Sequence, residues 1–183
     1  FVLDTLSQVE IWRRDLNLIP FSDAYSKKFN LLIKWLYFFV DMVSGDGPNL
    51  GGNDGSFCFQ LHDLSSRDFR PTLQLSAALD NTLENLLYQD GRWNEPLIWL
   101  DLEKKIFKNL TLFKSKVFSK GGYINFRNKT NSWAYLRLPK YSFRPSQNDP
   151  FHFDLWDKGI NILRDGGSYS YNASKRLMKY FNG

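Results

Sequence analysis

The sequence predicts an α+β chain, helical over residues 1–110 and built of antiparallel strands over 111–183. Three observations carry that prediction. Apolar residues recur at helical spacing in the first part; they alternate with polar ones beyond Val117; and clusters of Gly, Asn and Pro punctuate both patterns.

Val2, Leu6, Val9 and Leu16 fall at helical intervals, with Asp4, Gln8, Arg13 and Arg14 on other faces, so a first helix is expected to about Asn17, before Pro20. Ser22 is suited to cap a second helix through Tyr25, Phe29, Leu32, Trp35, Leu36 and Phe39 to about Val43, apolar around most of its circumference. The stretch from Ser44 to Gly55 holds too much Gly and Asn for either regular element and reads as a loop. Pro71 fits the first turn of a third helix through Leu73, Ala77, Leu83 and Leu87, and a shorter helix is expected over Leu97 to Leu102. The helical period then stops. Val117, Tyr123, Ile124 and Phe126, then Trp133, Tyr135, Leu136 and Leu138, are interrupted by Gly121-Gly122 and by Asn128 to Asn131, as strands and turns require. Phe151, Phe153 and Leu155 alternate with His152 and Asp154, and Ile160 and Ile162 flank Asn161, so a hairpin turning at Lys158-Gly159 is expected.

At 183 residues and 43% hydrophobic, the chain can bury the core of one domain or of two small pieces, which excludes a disordered chain. Cys58 is the sole cysteine, which excludes an internal disulfide and a multi-cysteine zinc site built from this chain. The most apolar stretch, Leu31 to Val43, contains Lys34 and Asp41, so no membrane span is expected. The net charge of +5 suits acidic partners such as uronic-acid polysaccharides or nucleic acids, yet it is spread along the chain and equally describes a solvated surface. The basic stretch Lys104, Lys105, Lys108, Lys114, Lys116 and Lys120 is read as an ordinary amphipathic passage, and no nucleic-acid partner is expected. Phe1-Val2-Leu3-Asp4 is already amphipathic, which reads as a cut inside a helix and leaves any signal region out of view.

Three blocks carry a family resemblance. They are Leu3-Asp4-Thr5-Leu6-Ser7-Gln8-Val9-Glu10; Pro48-Asn49-Leu50-Gly51-Gly52-Asn53-Asp54-Gly55 followed by Arg67-Asp68-Phe69-Arg70-Pro71; and Phe143-Arg144-Pro145 through His152-Phe153-Asp154 to Asp165-Gly166-Gly167-Ser168-Tyr169-Ser170-Tyr171. In that order they resemble the heparinase II/III-like family, especially its members associated with bacterial surface-polysaccharide gene clusters. The resemblance implies the last helices of an (α/α) toroid followed by the first strands of a β-sandwich domain, in an internal fragment of a polysaccharide lyase. The implied reaction is β-elimination on a uronic-acid polysaccharide, in the bacterial cytoplasm or periplasm. Elimination needs the carboxylate neutralised, a base for the C5 proton and an acid for the leaving oxygen. The family's Asn/His segment of the toroid precedes the helix that opens this chain, so the chain alone is expected to be inactive, the remainder of the parent chain being its partner.

The candidate residues follow. His152, Tyr169 and Tyr171 are the candidates for catalysis. His152 and Asp154 are expected on one strand face, and the turn at Gly159 can return Asp165 towards them. In related lyases the matching His and Asp resemble ligands of a zinc ion, so His152 and Asp165 are the candidate metal ligands; a hydrogen-bonded strand histidine is the plain alternative. Members with a catalytic histidine just before this position would need it near Pro150, where this chain has Pro150-Phe151. Asn53 and Asp54 are candidates for sugar contacts or for turn geometry. Arg67 and Arg70 precede a helix and need a carboxylate, either from substrate or from Asp63 or Asp68. Arg144 and Trp156 are candidates for a sugar groove, against a core role for the aromatic, and His62 reads as a surface residue. A glycoside hydrolase and a non-catalytic polysaccharide-binding module are the rival functions.

Overall fold

A computed structural model of the chain describes residues 1–41, 43–50, 57–58, 60–80, 90–103, 114–139, 150–164 and 174–182. The chain divides into two compact units, residues 1–40 with 57–111, and residues 41–56 with 112–183.

The first unit is helical. Helix α1 (Val2–Asp15) buries Leu3, Ser7, Glu10 and Ile11, one face at helical spacing. The stripe expected from sequence is therefore rotated: Val2 and Leu16 are exposed, and Glu10 takes a buried place because Arg13 and Arg14 neutralise it. The helix ends with Asn17 in the left-handed region, where the Asn17 N–H donates to Arg14 O and the Leu18 N–H to Arg13 O, a Schellman arrangement that satisfies the last carbonyls. Helix α2 (Asp23–Phe38) starts as expected, with Ser22 Oγ accepting from the Tyr25 N–H at 3.4 Å. It buries one face through Phe29, Ile33 and Tyr37, leaves Leu31 exposed, and stops before the expected Val43.

Helix α3 (Arg70–Leu79) has Pro71 in its first turn and is buried along nearly its whole length. It closes at Leu79 because Asp80 is extended; Leu83 and Leu87 lie outside the described residues. Asp4 Oδ1 accepts from Thr72 Oγ1 at 2.7 Å near the N-terminal ends of α1 and α3, and Arg14 Nη2 donates to Leu79 O at 2.6 Å near their C-terminal ends. The two helices thus run parallel. A 3-10 turn (Arg92–Asn94) leads into the short helix α4 (Glu95–Trp99), earlier than the helix expected at Leu97 to Leu102. Buried Asn94 ties this turn to α3 by accepting from Gln74 Nε2 at 2.6 Å.

Among the described residues the second unit holds a five-stranded antiparallel sheet in chain order: β1 (Lys116–Phe118), β2 (Tyr123–Arg127), β3 (Ser132–Arg137), β4 (Phe153–Asp157) and β5 (Ile160–Leu163). Helix α5 (Lys175–Asn182) follows. Two turns need glycine. At Gly122, φ is +67° and a Cβ would stand 2.2 Å from Leu138 O; Lys158 and Gly159 both have positive φ, the geometry of a tight hairpin turn. Asp41 and residues 43–50, expected within the helical part, belong with the sheet unit, to which Asp41 is tied by Trp133.

Register and alternation sort the side chains. Lys116, Asn125, Tyr135 and Asp154 form one row across four strands, and Arg127, Trp133, Trp156 and Asn161 form a second row on the same face. Asn125, Tyr135, Asp154 and Trp156 are completely buried there. The other face carries Val117, Phe126, Phe153 and Ile160, all exposed. This sheet conceals its polar side.

Candidate functional site

The buried polar face of the sheet is the candidate site. His152 comes just before β4 and Asp154 lies within it, on the same side, so the imidazole Nε2 meets Asp154 Oδ1 at 3.2 Å. Both side chains are withdrawn from solvent, at 4% and 0% exposure, where a carboxylate requires partners and an imidazole beside it is held in one orientation. Tyr135, directly opposite Asp154 in the register, sets its ring edge-on to His152 at a centroid distance of 5.8 Å. Tyr123 approaches Tyr135 from β2 at 6.0 Å. Asn125, opposite Tyr135, completes the row. Neither Tyr135 nor Asn125 is singled out by the sequence alone. Their signal was present, since both share strand parity with residues facing His152, but the pairing of β2, β3 and β4 is needed to see it.

The second row is a stack. Trp133 lies 4.3 Å from Trp156, ring planes 6° apart, and the Arg127 guanidinium covers Trp133 at 4.7 Å. Trp156 therefore belongs to the core of this unit and does not line an open groove: its surface is fully used by Trp133 and its neighbours. Its Nε1 and the side-chain amide of Asn161 opposite are buried and have no hydrogen-bond partner among the described residues.

The other expected positions divide into two sets. Arg70 has its carboxylate within the chain: Nε and Nη2 donate to Asp68 at 2.9 and 2.6 Å, and the guanidinium lies 4.1 Å above the Trp93 ring. Asp63 pairs with Arg92, and Arg67 sits just ahead of α3 with its backbone N–H on Ser65 Oγ at 3.2 Å. His62 closes its own turn, its Nδ1 accepting from the Leu64 N–H at 3.2 Å. Asn53, Asp54, Arg144, Asp165, Tyr169 and Tyr171 lie outside the described residues. For zinc, His152 and Asp154 supply two donors where the ion takes four ligands, and no cluster of three or more metal-ligating side chains occurs among the described residues.

No protein-family model and no curated protein sequence matches the chain. Solved structures do. The heparan sulfate lyase HepC from Pedobacter heparinus superposes with a TM-score of 0.63 over 99% of this chain at 19% identity. The chain has a heparinase III-like fold. A mutant of the same lyase gives a TM-score of 0.65 at 19% identity over 99% of this chain, and a heparinase III gives 0.61 at 16% over 88%. The heparinase III-like region is a part of those molecules: the chain spans 26% of the length of the Pedobacter lyase and 23% of the heparinase III.

Proposed function

We propose that this chain is part of a polysaccharide lyase that cleaves a uronic-acid-containing bacterial surface polysaccharide by β-elimination. In this reading its helices end an (α/α) toroid and its strands open a β-sandwich domain whose second sheet covers the exposed face of Val117, Phe126, Phe153 and Ile160. The observation that carries the proposal is the buried His152–Asp154 pair with Tyr135 against it, on a sheet of lyase-like fold. Burying a polar row of this kind is costly unless the groups serve one another or a ligand. Imidazole and phenol are the side chains that elimination uses to move protons at neutral pH.

The residues then take the following parts. His152 exchanges a proton with the substrate, Asp154 fixes the imidazole ring, and Tyr135 limits its rotation. Tyr169, Tyr171, Asn53, Asp54 and Arg144 are proposed to act with them at the sugar and its carboxylate. The full-length protein carrying this chain, incubated with acidic polysaccharides, should release oligosaccharides with an unsaturated terminal sugar, read by product mass. Products that carry the added elements of water would identify a hydrolase instead.

One observation favours a second reading. Pro150-Phe151 stands where related lyases with a catalytic histidine just before this strand would carry it, as suits a piece that binds polysaccharide without performing chemistry on it. Under that reading the polymer is retained and its length does not change.

A further inference from the structure

We draw no further inference here: the strongest candidate, the buried side-chain pair of Trp156 Nε1 and the Asn161 amide, opposite each other on β4 and β5, carries nothing because nothing in the structure shows what covers that part of the sheet or which group its polar atoms meet.

Discussion

Trp133 Nε1 donates to Asp41 Oδ2 at 2.9 Å, joining residues 92 positions apart inside the sheet unit. The other carboxylate oxygen, Oδ1, accepts from the Val43 N–H at 2.9 Å, the Ser44 N–H at 2.8 Å and Ser44 Oγ at 2.9 Å. Asp41 is 2% exposed, so its charge is stabilised by these four donors in place of water. One carboxylate therefore shapes the turn at Val43 and Ser44 and fixes the indole at the centre of the Arg127–Trp133–Trp156 stack.

Asp41→Ala should be among the most damaging changes in this unit. It deletes the acceptor of four bonds and leaves the Trp133 N–H buried, at a cost of about 3 kcal/mol. Trp133→Phe leaves Asp41 its three other donors and should cost less through the bond, although it also thins the stack. Urea unfolding, followed for both variants, gives the comparison; an Asp41→Ala midpoint equal to that of the unmodified protein would remove this anchor from the account.

Glu10 makes a pH-dependent contribution. Its carboxyl is held below its ordinary value near 4.5, first by the hydrogen bond from Arg13 and then, against the opposing effect of burial, by Arg14. A depressed folded-state value means that the unfolded chain takes up the proton first, so the stabilisation is complete above about 4.5 and is lost as pH falls below it. Tm should fall on acidification through that window, and Glu10→Gln should lower Tm at neutral pH while flattening part of the acid-side slope. Thermal melts from pH 6 to pH 3 would check both.

Arg70→Lys keeps the charge and loses the fork on Asp68 and the stack over Trp93. The expected cost is about 1–2 kcal/mol of stability. Since the Arg70 guanidinium is engaged within the chain, polysaccharide retention by the folded protein should be unchanged. A loss of retention without a loss of stability would instead assign Arg70 to the ligand.

Much of the architecture was legible from local chemistry. Ser22 announces its helix by the cap it forms, Pro71 sits where a missing N–H is harmless, and Lys158-Gly159 supplies the two left-handed residues that a tight hairpin needs. What was not legible depends on pairing across distance. The expected stripe of α1 overlooked Glu10 as a buried residue, because a carboxylate becomes core material only once Arg13 and Arg14 close on it. Trp156 read as a possible groove aromatic until the β3–β4 register set it against Trp133. At the site, His152 and Asp154 could be placed together from strand alternation, whereas Tyr135 and Asn125 required the order of the strands.

A lyase with His152 in its site should raise the ultraviolet absorbance of the conjugated product when the full-length protein, but not its His152→Ala variant, is mixed with heparan sulfate or other uronic-acid polysaccharides. The rate of rise with the variant should be about a hundredfold or more below that of the unmodified protein. No absorbance from the unmodified protein with any of these polymers, or an equal rate from the variant, would contradict it.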